Sequence, residues 1–393
     1  MVFKAKSNPC KLMELYACLS KNVHKVEFLV QSINKNMIPF RSLCIIACGV
    51  CSCRVIAVTP AGKLIKRLNK IENKGIMIGH QDDPMYGTTW KWEYGRSDVK
   101  ETCGDYPAVM GFELGRLELD STRNLDGVPF DQIRKQALAQ YHRGGIVEIS
   151  WHSTNPVTMQ SAWDTNGRAI KQILPGGKEN GRFMSWLSKV GNFLLSIKTA
   201  DGKAIPLIFR PWHEMSGSWF WWGENFCTPE EYRQLYRLTV CTLRGMGLDN
   251  LVFCYSPGGA DHETEEHFLK FYPGDRYVDI IGADLYGNSS RDSYIRQVRG
   301  EYDVINRVAK AHHKLMCLAE TGSRNTPDPQ WFTTGLWKAI QGYHLSYILL
   351  WRNAWDQPKE NFGPAPDKAC AADFRLLYSY PASLFLKDIE KIR

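Results

Sequence analysis

Eight short apolar runs, each followed at once by polar or aromatic residues, constrain the fold of this chain more than any other feature. They span residues 75–79, 108–112, 145–150, 205–209, 251–255, 278–282, 315–319 and 347–350. Near-continuous apolar runs of this length fit parallel strands buried on both faces. Several intervening segments have helical period. Phe130, Ile133, Ala137 and Tyr141 share one face, as do Phe183, Trp186, Val190, Phe193 and Ile197. Thr228-Pro229-Glu230-Glu231 offers an N-cap, a first-turn proline and a capping glutamate, ahead of a stripe of Tyr232, Leu235, Tyr236, Thr239 and Leu243. Gly245 and Gly247 predict where that helix stops. Ile295, Val298, Tyr302, Ile305 and Val308 mark a fourth helix. Strand–helix alternation on this scale predicts an α/β fold, a (β/α)8 TIM barrel, as one domain over about residues 65–390. The rival is an open doubly wound sheet. Neither GxxxxGK[ST] nor GxGxxG follows the first run, so no nucleotide is expected.

In a barrel, function sits at the carboxyl ends of the strands. Those ends read His80-Gln81-Asp82-Asp83, Glu113, Trp151-His152 and Arg210-Pro211-Trp212-His213-Glu214 in the first half. Ser256-Pro257, Asp284-Leu285-Tyr286, Glu320-Thr321-Gly322 and Trp351-Arg352-Asn353 follow in the second. Glu214 and Glu320 end the fourth and seventh runs, which face each other across a barrel mouth. Acetal hydrolysis needs such a pair, one protonated to release the leaving oxygen and one ionised to attack or to activate water. The plainer reading is that each glutamate pairs with Arg210 or Arg324. Tryptophans strengthen the chemical one: Trp212, Trp219, Trp221 and Trp222 fall within eleven residues, with Trp151, Trp163, Trp351 and Trp355 near other strand ends. Indole rings suit flat apolar sugar faces. Trp186, Trp331 and Trp337 lie on helical stretches and are assigned to the core.

Metal motifs fail on spacing. His213-Glu214 opens like HExxH, but position 217 is Gly, and His262 and His267 stand five apart. His312-His313 reads as a cationic helix end, and Asn288-Ser-Ser as a formal sequon only. No metal and no cofactor are expected.

The formal charge of +8 suggests a nucleic-acid binder until it is divided. Residues 1–70 hold twelve Lys/Arg against Glu14 and Glu27, and the rest holds 37 Lys/Arg against 39 Asp/Glu. The body offers no large basic field, so no nucleic-acid partner is expected. Six of the twelve cysteines precede residue 54, and the others are scattered singly, like small buried apolar residues. Residues 1–58 read as a leader. Met37-Ile-Pro-Phe-Arg41, followed by the small apolar run 42–53, resembles a bacterial export signal, and Ile45-Ile46-Ala47-Cys48 a lipoprotein processing site. Met37 then becomes a candidate true start, and the periplasm or the outer surface the expected location. The alternative is an N-terminal helix packed on the body.

Taken together, Arg210-Pro-Trp-His-Glu-Met-Ser-Gly-Ser-Trp-Phe-Trp-Trp-Gly223, Ala283-Asp-Leu-Tyr286, Ala319-Glu-Thr-Gly322 and Trp351-Arg352 resemble glycoside hydrolase family 26, over about residues 70–385. Its best-known members are β-mannanases. The resemblance implies a retaining (β/α)8 glycosidase with Glu214 as general acid/base and Glu320 as nucleophile. His213 would stand where much of the clan has an asparagine, and Tyr286 would hydrogen-bond Glu320. Trp219, Trp351, Arg352 and Asp284 would shape the central sugar sites, with Trp151, His152, Trp212 and His213 as further substrate contacts. The expected substrate is β-1,4-mannan, galactomannan or glucomannan, or manno-oligosaccharides, cleaved by a monomer. A same-family β-1,3-xylanase or mixed-linkage glucanase stays open, as does a non-catalytic polysaccharide-binding barrel. Endo and exo action are left undivided, because loops such as 156–180 decide whether the cleft is open.

Overall fold

A computed structural model describes residues 59–259, 263–287 and 290–392. The leader of residues 1–58, His262 and the sequon at Asn288 lie outside the described residues, in whole or in part.

All eight apolar runs are strands: β1 (Ile76–Gln81), β2 (Val109–Glu113), β3 (Ile146–Trp151), β4 (Leu207–Pro211), β5 (Leu251–Tyr255), β6 (Ile280–Tyr286), β7 (Leu315–Gly322) and β8 (Leu345–Leu350). Each pairs in parallel with the next, and β1 pairs with both β2 and β8, which closes the barrel and excludes the open sheet. Strands β6 and β7 run further than their apolar runs, to Tyr286 and Gly322. Mutual pairing continues there, Asp284 against Glu320 and Tyr286 against Gly322, past a register shift at Ala283/Asp284. A polar stretch thus stays in the sheet because its neighbour's backbone holds it. A two-residue strand, β9 (Ser383–Leu384), adds to β1; it is too short to carry a periodic signal.

Period-two alternation divides the strand residues between two cores. Ile146, Ile208, Val252, Cys254, Ile280, Cys317 and Tyr347 point into the barrel. Ile149, Trp151, Phe209, Phe253 and Leu318 point outward, under the helices. The longer helices are α1 (Pro60–Glu72), α2 (Phe130–His142), α3 (Asn180–Ser196), α4 (Pro229–Gly245), α5 (Arg291–His312) and α6 (Ala371–Tyr378). Helix α1 precedes the first strand and buries Leu64, Leu68 and Ile71 against the barrel interior, so it plugs the amino-terminal end. Thr228 and Glu231 form the full capping box that starts α4. His313 caps α5 in the left-handed region, and His312 turns to Asp275 at 2.7 Å. Trp186 and Trp331 are buried as expected, and Trp337 is half-buried. Among the described residues, no helix is long and apolar enough to cross a membrane.

Candidate active site

Arg210, the next-to-last residue of β4, is wholly buried in the barrel mouth. Its guanidinium donates to three carboxyl groups: Nε to Glu148 Oε1 at 2.6 Å, Nη1 to Asp284 Oδ2 at 3.1 Å and Nη2 to Glu320 Oε1 at 2.6 Å. Burial disfavours this cation, yet the three carboxyls outweigh burial and hold its pKa above the ordinary value. Burial pushes Asp284 well above the carboxylate range, and Glu320 and Glu214 add to that push. Glu320 has a second donor, the Tyr286 hydroxyl, on Oε2 at 2.7 Å. The two donors fix the carboxylate's plane and stabilise charge on it. Pairing with Arg210 and catalytic placement are therefore not alternatives for Glu320.

Glu214 stands in a strained turn just past β4. Trp212 and Glu214 both have positive φ, 55° and 56°, a conformation that costs about 1–3 kcal/mol per non-glycine residue. Surrounding hydrogen bonds over-determine the turn. Tyr232 Oη donates to the Trp212 carbonyl at 2.7 Å, Trp222 Nε1 to the His213 carbonyl at 2.7 Å, and the Glu214 amide to the Ser256 carbonyl at 2.8 Å. Gly258 lies beneath, where a Cβ would come within 3.1 Å of Glu214 and Trp219. The half-buried Glu214 carboxyl accepts from Trp219 Nε1 at 2.6 Å. Burial raises its pKa to about 7, helped by Glu320 and opposed by the Trp219 hydrogen bond. Glu214, Asp284 and Glu320 each place an oxygen within 4.8 Å of the others. Such a triad could hold a cation, but Arg210 already supplies the positive charge between Asp284 and Glu320.

The cleft above the pair has a volume near 320 Å³ and is lined by His152, Trp163, Trp219, Phe220, Tyr286, Trp351 and Phe362, with the Arg324–Glu360 ion pair at its rim. His152 is locked to Glu113, Nδ1 to Oε2 at 2.7 Å and backbone amide to Oε1 at 2.8 Å. Burial opposes charge on both, but the pairing wins: Glu113 lies below and His152 above their ordinary pKa values. His152 Nε2 is 3.0 Å from His213 Nε2. Burial, then the charges of His152 and Arg210, push His213 well below the imidazole range. The two rings are in hydrogen-bond contact, with donor and acceptor set by their tautomers, and His213 Nε2 also lies 3.9 Å from Glu320 Oε1.

Of the expected site residues, Glu214, Glu320, His152, Trp219, Tyr286 and Trp351 meet in this cleft. Asp284 and His213 are buried and do not line it: Asp284 pairs with Arg210, and His213 Nε2 lies 3.9 Å from Glu320 Oε1. Arg352 does not line the cleft; it pairs with Asp126 at 2.9 Å. Two expectations are corrected. Trp151 and Trp212 are 0% exposed and cannot stack on a ligand. Both point outward from their strand ends into the core beneath the helices, 5.0 Å apart, with indole N–H groups bonded to Glu118 and Thr239. Trp221 and Trp222 are buried likewise, so of the four clustered tryptophans Trp219 alone reaches the cleft. Trp163 was only a nearby aromatic in the sequence. It stacks on His152 with ring centres 5.4 Å apart and is 51% exposed. Glu148 was also missed, although a lone acid inside an apolar run, facing an arginine on the next strand, is a signal for a buried pair.

A carboxyl pair this close leaves room for an anomeric carbon but not for a separate attacking water, the spacing of glycosidases that work through a covalent intermediate. Comparison with known proteins narrows that class. The model of glycosyl hydrolase family 26 matches residues 56–361, and the chain belongs to that family. A mannan endo-1,4-beta-mannosidase of Bifidobacterium adolescentis is 38% identical over 237 residues, 58% of this chain and 24% of the relative's length. A Bacillus subtilis protein of the same description is 29% identical over 65% of this chain and 69% of its own. The solved structure of a GH26 beta-mannanase from Bacteroides ovatus superposes with a TM-score of 0.82 at 41% identity, covering 84% of this chain and 95% of that one.

Proposed function

We propose that the chain hydrolyses β-1,4-mannosidic bonds with retention of configuration. The carrying observation is the Glu214–Glu320 pair, with oxygens within 4.8 Å, in an aromatic cleft at facing strand ends. The names of the relatives above supply the sugar. Glu320, oriented by Arg210 and Tyr286, attacks the anomeric carbon while Glu214 gives its proton to the departing glycosidic oxygen. Ester formation at Glu320 removes the negative charge that helped raise the Glu214 pKa. Glu214 then ionises more readily and takes a proton from the water that breaks the ester. Trp219 and Trp351 offer ring faces to the sugars. The strained turn before Glu214 is stabilised by buried aromatics, so the acid is positioned before substrate arrives.

Reducing-end release from mannan, glucomannan, xylan and lichenan tests the assignment. The first two should be cleaved and the others spared; preferential cleavage of xylan or lichenan would replace mannan as the substrate. Glu214→Ala and Glu320→Ala should each lower kcat by several orders of magnitude with the fold intact. Export is part of the same proposal and rests on residues 37–53; intact-mass measurement on native protein should find the leader removed.

A further inference from the structure

The end of the barrel opposite the cleft carries a feature that sugar hydrolysis does not use. Beneath the amino ends of β3, β4 and β5 lies a cavity of about 1230 Å³, bordered by α1, the 142–146 turn and the carboxyl-terminal segment around Glu390. Helix α1 is two-faced. Its apolar face plugs the barrel, while Lys63, Lys66, Arg67 and Lys70 recur at i, i+3, i+4 and i+7 along the cavity, and no acid precedes Glu72 in the helix. Arg67 turns inward and donates to the carbonyls of Gly144, Ile389 and Ile392, which ties the helix to the cavity wall. Lys63, Lys66 and Lys70 are exposed. Arg143, Lys203 and Lys391 continue the basic rim, against Asp249 and Glu390 in the lining and Asp201, which holds Lys203 at 2.6 Å. Cations thus outnumber acids on this face of an otherwise near-neutral barrel.

We propose that this amino-terminal face docks on an anionic lipid membrane surface. Charge decides against the chain's own upstream segment as the occupant: residues 1–58 carry eight Lys/Arg against two Glu, so they would be repelled by the stripe. Geometry favours a surface. The amino end of α1, at Pro60, and the exposed lysines along the helix border this same face. A lysine-bearing amphipathic helix on the surface adds its charges to the attraction of an anionic headgroup layer. Docking here leaves the cleft, at the far ends of the strands, facing away from the membrane and open to polymer.

Co-sedimentation of the full chain with vesicles of equimolar phosphatidylglycerol and phosphatidylcholine, against phosphatidylcholine alone, tests this. Binding should require the anionic lipid, fall steeply with added salt, and drop about a hundredfold in Lys63→Glu/Lys66→Glu/Lys70→Glu. Hydrolysis of a soluble oligosaccharide should be unchanged in that variant, which shows that it folds. Equal binding to neutral vesicles, or retained binding by the variant, would overturn the proposal. So would saturable binding of inorganic phosphate without binding to vesicles, which would make the cavity a site for a free anion.

Discussion

A glutamate that must donate a proton near neutrality has to hold it there, and Glu214 does so through burial and the charge of Glu320 beside it, with a pKa of about 7. kcat/KM is therefore expected to fall as pH rises through about 7, where the acid ionises. Trp219 Nε1 donates to Glu214 and opposes that shift. Trp219→Phe keeps a ring but loses the donor, so the alkaline limb should move to higher pH; an unmoved limb would remove Trp219 from this role. Linkage gives a second outcome. A carboxyl pKa raised by folding favours the native state at low pH and disfavours it as pH rises from the unfolded value toward about 7. Glu214→Gln should accordingly raise Tm more at pH ~8 than at pH ~5, as read by thermal melts. The tryptophans separate by the same logic. Trp212→Ala should cost about 3–5 kcal/mol of stability, as a buried aromatic does. Trp351→Ala should raise KM with little effect on the denaturation midpoint.

Strand ends, rather than single residues, explain why these groups meet. Each apolar run announced a strand, and the residue after it announced what faces the mouth; Glu214, Glu320, His152, Tyr286 and Trp351 were all legible in this way. Alternation of side chains along a strand decides the exceptions. Trp151 and Trp212 stand at the right height, but their side chains leave the strand on the outward side. Stacking was inferred for the whole tryptophan-rich segment, whereas Trp212, Trp221 and Trp222 pack the turn that bends Glu214 into place. Nothing local in sequence marks the positive φ of Trp212 and Glu214, because a tertiary hydrogen-bond cage imposes it. Element-scale consequences follow. Thr228→Ala breaks the capping box of α4 and should lower stability by about 1 kcal/mol, measured by denaturant unfolding. Arg210 joins β4 to carboxyls on β3, β6 and β7, so Arg210→Met leaves buried acids uncompensated. That should destabilise the barrel by about 3–5 kcal/mol and abolish turnover.

At the scale of the molecule, the barrel separates its duties between two ends. The carboxyl end gathers acids, histidines and aromatics into a cleft, and the amino end is closed by α1 and carries a basic rim. The charge division was legible early, since the excess of cations sits in residues 1–70. Part of that excess belongs to α1 and so to the folded body, because Lys63, Lys66, Arg67 and Lys70 fall within the first seventy residues but beyond the leader's end at 58. The barrel's closure was equally legible from eight repeated runs; β9 and the polar ends of β6 and β7 were not, because pairing and not apolar content holds them in the sheet. What all of this supports is a double displacement across Glu214 and Glu320. The direct test is the anomeric configuration of the first product released from a β-1,4-manno-oligosaccharide, followed by proton NMR before mutarotation. The β-anomer should appear first and equilibrate later; initial release of the α-anomer would mean single displacement by water and would contradict the account.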